Sequence, residues 1–125
     1  MYEGNFIQSS CATCHQSFEI RAAEVRNKGR LLFSELGCHG CHLTEGYEEK
    51  DKIGPDLKRI KSKTYLGWLV KWINNPKQYL PKTRMPHYRF SDEQVLAIAA
   101  YLVKNSEEYQ LSRRYPSGGS AERGK

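Results

Sequence analysis

The chain contains no run of about eighteen apolar residues, the length a helix needs to cross a bilayer, so no segment is expected to span a membrane. It also has no alternating polar and apolar stretch of any length, which argues against a sheet and for an all-α fold. Only 38% of the 125 positions are hydrophobic, a modest share for one domain to build its core from side chains alone. No thiol is available outside four cysteines, and those four stand in two tight pairs. The opening residues, Met1-Tyr2-Glu3-Gly4-Asn5, lack the basic and apolar regions of a secretory signal. The expectation is a processed chain or part of a longer protein.

Each cysteine pair is followed at once by histidine, giving Cys11-Ala12-Thr13-Cys14-His15 and Cys38-His39-Gly40-Cys41-His42. In such a run two thiols can form thioethers to one porphyrin while the adjacent histidine reaches its iron. A zinc ribbon also uses two Cys-x-x-Cys pairs, but it does not need a histidine directly after each. The expected cofactors are therefore two covalently attached haem c groups, with Cys11, Cys14, Cys38 and Cys41 as attachment points and His15 and His42 as iron ligands. Two buried porphyrins would supply the apolar mass the composition lacks. Attachment of this kind takes place outside the cytoplasm, which predicts a periplasmic or extracellular protein.

Twenty lysines and arginines against fourteen aspartates and glutamates give a formal charge of +6. The cations crowd Lys50 to Lys63 and recur at Lys71, Lys77, Lys82, Arg84 and Arg89. One consequence is a basic face that steers acidic partners; the other is a solvated surface and nothing more. No recognised nucleic-acid-binding motif accompanies the charge, so no nucleic acid is expected as partner.

Helical spacing of Ala22, Val25, Gly29, Leu32, Phe33 and Leu36 predicts an amphipathic helix from about Arg21 to Gly37. The polar stretch from Thr44 to Lys52 reads as a surface loop. A second helix carries Tyr65, Leu69, Trp72 and Ile73, entered near Thr64 and stopped by Asn74-Asn75-Pro76. Pro81 and Pro86 bracket an extended segment around Met85. Ser91-Asp92-Glu93-Gln94 is a capping-box start for a last helix through Val95, Ile98, Ala99 and Leu102 to about Tyr109. These elements divide the chain into a haem-binding extension at 1–20, a domain at 21–109 and a mobile basic tail at 110–125.

Between His42 and the last helix stand Gly54-Pro55-Asp56-Leu57 and Thr83-Arg84-Met85-Pro86. A thioether is a soft neutral ligand, and Met85 on a proline-fixed segment can face the iron opposite His42. With Gly29, Phe33, Cys38 to His42 and Ala100-Tyr101-Leu102, these motifs make residues from about Val25 to Lys104 resemble a class I cytochrome c domain. The resemblance implies electron transfer at a coordinatively filled iron, with methionine opposite histidine raising the potential. It implies that the first and last helices cross closely where Gly29 admits an aromatic residue, Tyr101. It implies that the Pro55 carbonyl accepts a hydrogen bond from His42 and raises the basicity of that ligand. Arg84 or Trp72 is expected at a haem propionate, or Trp72 in helix packing.

The first motif lies in an extension that class I cytochromes lack; followed by such a domain, it resembles the C-terminal portion of larger multihaem respiratory cytochromes. His15 needs a second axial ligand, for which His39 and His87 are the remaining histidines. His39 is favoured because, between Cys38 and Cys41, it can point away from its own porphyrin. A ligand from another chain and an open site are the alternatives. The expectation is a dihaem relay among other cytochromes or at a membrane respiratory complex, and not an enzyme. Its competitors are a small dihaem peroxidase with an open His15 haem and a filament-forming multihaem subunit.

Overall fold

The computed structural model describes residues 23–48 and 51–107. Among them are six helices, α1 (Glu24–Glu35), α2 (Cys38–Cys41), α3 (Ile60–Lys63), α4 (Leu66–Asn74), α5 (Pro76–Tyr79) and α6 (Asp92–Lys104). An isolated bridge between Thr44 and Tyr47 is the only β pairing among the described residues, so this part of the chain is all-α. None of the helices there is long and apolar enough to cross a membrane. The expected extension at 1–20 and tail at 110–125 lie outside the described residues.

The first and last helices dock on each other, and Gly29 is what lets them. A Cβ at that position would sit 1.8 Å from the carbonyl oxygen of Ala97. The gap at Gly29 is thus filled by the α6 backbone and not by the Tyr101 ring, as the resemblance had suggested. Tyr101 lies farther along, with its ring 5.4 Å from that of Phe33 at 53° and with the Arg26 guanidinium 5.7 Å from its centroid. Such a tilted pair adds about 1 kcal/mol beyond the area it removes from water.

Around this contact, Phe33, Leu57, Leu69, Ile73, Val95, Ile98 and Leu102 form the core. Leu69 and Ile73, one turn apart on α4, bury the face that meets α6. Each such side chain, once buried, contributes about 1.5–3 kcal/mol.

The helix ends follow local chemistry. Ser91 Oγ accepts from the Gln94 backbone N–H while the Gln94 side chain accepts from the Ser91 N–H, so the capping box starts α6 as expected. α6 stops at Lys104, five residues before Tyr109, with the Asn105 N–H closing on the Tyr101 carbonyl. α1 ends in Leu36 and then Gly37, whose φ of +69° turns the chain without the penalty a Cβ would bring. That left-handed residue separates α1 from α2 and hands Cys38 straight into a new helical turn.

Pro76 has two jobs. It ends α4 at Asn74, and as the first residue of α5 its missing N–H costs no hydrogen bond. The stretch from Thr44 is less of a surface loop than its polarity suggests, since Thr44 is fully buried and the Tyr47 hydroxyl reaches Ser34 Oγ at 3.2 Å.

Candidate haem-binding cavity

A cavity of about 610 Å³ opens between α2, α4 and the segment after α5, a volume within the range of small-molecule and cofactor sites. Core residues Phe33, Leu57, Leu69, Ile73, Ile98 and Leu102 form part of its wall, so the site is an indentation of the core itself. Cys38, Cys41 and His42 line it from α2 and the residue after, and Met85 lines it from the segment between α5 and α6. Ile53, 68% exposed, and Leu80, 52% exposed, stand at it with Lys82 and Arg84.

α2 is a single turn, held by the His42 N–H on the Cys38 carbonyl at 3.0 Å and the Gly40 N–H on Gly37 at 2.9 Å. One turn puts Cys38 and Cys41, three apart, on one face, and both meet the cavity. Burial pushes the Cys38 thiol up to about 11, which keeps it protonated at neutral pH. His42 then turns extended, with φ −109° and ψ 138°.

Its imidazole is fixed from behind. His42 Nδ1 lies 2.9 Å from the Pro55 carbonyl oxygen. A carbonyl can only accept, so Nδ1 carries the proton and Nε2 keeps a lone pair for a metal. The Gly54 N–H donates to the Cys41 carbonyl and the Leu57 N–H to the Leu43 carbonyl, each at 2.8 Å, pinning the loop along the strand of chain that bears His42. Gly54 is flat against the ring, where a Cβ would fall 2.8 Å from both Cε1 and Nδ1.

Met85 is held by its own turn. The Thr83 N–H closes on the Leu80 carbonyl at 2.9 Å, and the Thr83 hydroxyl accepts from the Met85 N–H at 3.2 Å. Farther on, Arg89 adopts φ +56°, a left-handed conformation uncommon for a side-chain-bearing residue. Beside that bend the Tyr88 and Phe90 rings stack at 5.1 Å and 20°. The Tyr88 hydroxyl reaches the Leu36 carbonyl at 3.3 Å, tying the Met85 segment to the end of α1; burial raises the pKa of that phenol.

The cytochrome c family model matches residues 27–106, more than half of the chain. The chain belongs to the cytochrome c family. No curated protein and no solved structure gives a match.

Membership brings a covalently held haem c with its iron and a role in haem-based electron transfer among redox partners. The residues present fit that group. The cavity is apolar, two thiols and an imidazole with a free Nε2 share one stretch of its wall, and a thioether sulfur stands elsewhere on it. No three His, Cys, Asp or Glu side chains converge as ligands among the described residues, and a porphyrin, which brings its own ring of nitrogens, requires none. When bound, the haem supplies an iron that gains and loses one electron. The lining residues of the cytochrome would hold it, with the Pro55 carbonyl orienting His42.

Of the other expected site residues, Arg84 lines the cavity and is exposed. Trp72 also lines it, with its single N–H on Met85 Sδ at 3.1 Å. His39 is not among the lining residues. Its ring is half-buried and stacked on Tyr47 at 4.5 Å and 15°. His87 is exposed and away from the lining. Cys11, Cys14 and His15 lie outside the described residues.

The basic stretch is partly tied up internally. Lys58 pairs with Glu48 at 2.6 Å and Lys63 donates to the Asp56 carbonyl at 2.9 Å. The close approach of Gly54 to the His42 ring and the Trp72 N–H on Met85 are contacts that sequence reasoning did not foresee. The glycine's signal was its place beside Pro55; the indole carried none.

Proposed function

We propose that the protein is a dihaem c-type cytochrome that relays electrons between other redox proteins or within a respiratory complex, in the periplasm or outside the cell. One haem is attached at Cys38 and Cys41 with His42 Nε2 and Met85 Sδ as axial ligands, and the other at Cys11 and Cys14 with His15. The observation that carries the first site is a single cavity lined by both cysteines, by the Nδ1-protonated imidazole and, from another segment, by Met85. The second rests on the other complete Cys-x-x-Cys-His run.

A filled coordination shell at the His42/Met85 iron leaves no place for a substrate, which favours a carrier over an enzyme there. For the His15 iron, His39 remains the preferred second ligand, since it stands off its own cavity and Tyr47 stacking holds its ring in one orientation.

Intact mass of the denatured protein tests the count. The expected result is two haems on the unmodified chain and one when Cys11→Ala and Cys14→Ala are combined. A bare polypeptide, or a single haem before substitution, refutes the dihaem reading. Low-temperature spin resonance of the oxidised protein then assigns the axial pairs. A high-spin signal from the His15 haem would replace the relay with a site open to peroxide.

A further inference from the structure

Three residues beyond Met85, the chain that carries it is fastened by a tyrosine. Tyr88 is half-buried and lines the cavity, as Cys38 and Cys41 do. Its ring stacks on Phe90 at 5.1 Å and 20°, and Phe90 packs in turn against the core. At the other end of the ring, the hydroxyl lies 3.3 Å from the Leu36 carbonyl oxygen. A carbonyl only accepts, so the phenol donates.

The position of that acceptor gives the bond its reach. Leu36 is the C-terminal cap of α1, and the last carbonyls of a helix have no partner within it. Directly after it, Gly37 turns the chain at φ +69° and leads into the turn bearing Cys38 and Cys41. The Tyr88 hydroxyl therefore joins the Met85 segment to the stretch of chain that delivers both thiols. By contrast, the bonds that Thr83 makes to Leu80 and Met85 stay within the segment; they shape its turn without holding it to the rest of the molecule. Between Met85 and Tyr88 stands Pro86, whose ring fixes one torsion and stiffens the connection.

For an added ligand to take the place of the sulfur, Met85 must leave and its segment must lift. Lifting breaks the Tyr88 bond and gives phenol and carbonyl to water. The bond thus favours the closed state alone and lowers the open population. Resting on the His42/Met85 ligation proposed above, we infer that Tyr88 is a positioning residue for Met85, whose hydroxyl on Leu36 latches the segment shut and sets how readily the sulfur yields its place on the iron. The bond is long and its acceptor residue is exposed, so its effect falls in the lower part of the range for one neutral hydrogen bond. That is roughly a two- to fivefold change in the opening equilibrium.

The experiment uses Tyr88→Phe in the holoprotein, which removes the hydroxyl and keeps a ring on Phe90. Imidazole is titrated into the oxidised protein, and loss of the sulfur-to-iron charge-transfer absorption reports displacement at the methionine-ligated haem alone. The expected result is a band present before imidazole is added and half lost at a two- to fivefold lower imidazole concentration than in the unmodified protein. Tyr88→Leu, which gives up the ring stack as well, should yield at a lower concentration still. An unchanged imidazole requirement in Tyr88→Phe, whatever happens to its unfolding midpoint, makes Tyr88 a tie of the fold only; it overturns this inference and leaves Met85 ligation standing. Absence of the band from the unmodified protein overturns both.

Discussion

His42 and Pro55 are joined by a 2.9 Å hydrogen bond from the imidazole Nδ1 to the proline carbonyl, and the bond closes only because residue 54 has no side chain. Gly54→Ala puts a methyl group 2.8 Å from two ring atoms, so the ring or the loop must move and the bond lengthens. A histidine that loses its acceptor is less basic and stabilises ferric iron less. With His42 as the proposed iron ligand, the potential of its haem is expected to rise by about 40 mV, the equivalent of one net hydrogen bond of about 1 kcal/mol. Redox titration of the variant measures it, and a fall would show that the bond does not support the ligand.

On the proposed His42/Met85 ligation, Met85→His exchanges a soft neutral ligand for an imidazole, which favours ferric iron. One haem should drop in potential by a large part of the range of about 0.8 V that axial ligands span, and the other should stay where it was. If both remain unchanged, Met85 is packing and the ligand assignment falls.

Gly29→Ala tests the helix crossing. The new Cβ would stand 1.8 Å from the Ala97 carbonyl oxygen, a backbone atom that no rotamer change can move aside. The two helices must separate, at a cost of about 3 kcal/mol or more. Denaturant unfolding should show a lower midpoint, or the variant should fail to accumulate with haem.

Tyr101 is 2% exposed, and burial raises the pKa of its phenol above the usual tyrosine value. The unfolded chain therefore ionises first as pH climbs past about 10, and beyond that point it binds fewer protons than the folded one. Stability from the neutral buried phenol is complete below about pH 10 and is lost above it, toward the folded pKa. Tyr101→Phe should unfold with a shallower dependence on pH above 10 than the unmodified protein, while the two run parallel near neutrality. Equal slopes above pH 10 would remove Tyr101 from the alkaline loss.

The longer elements were legible because each repeats its signal. α1, α4 and α6 each carry several apolar residues on one face, and the capping box at Ser91 and Gln94 is written in four consecutive letters. α2, α3 and α5 were not expected, since each spans four residues and is too short to display a period. Pro76 was read as a stop and is equally a start. At the site, the adjacency of cysteines and histidine was plain, whereas the Trp72 N–H on Met85 joins residues thirteen apart whose meeting depends on how α4 packs. Gly29 was correctly singled out as a close approach, but its partner was misjudged. Sequence shows that room is left; only the crossing of two helices shows that a carbonyl takes it.

The uneven support of the two side chains proposed as axial ligands bears on the order in which the molecule comes apart. His42 follows a helical turn and is clamped by hydrogen bonds at Cys41, Leu43 and Pro55, but Met85 rides on a segment without regular structure between α5 and α6. Segments of that kind open in partial excursions that leave the packed helices intact. The sulfur should therefore exchange for solvent or an added ligand at temperatures where α1 and α6 remain docked, and a cytochrome built this way has its weakest hinge on the methionine side of the metal.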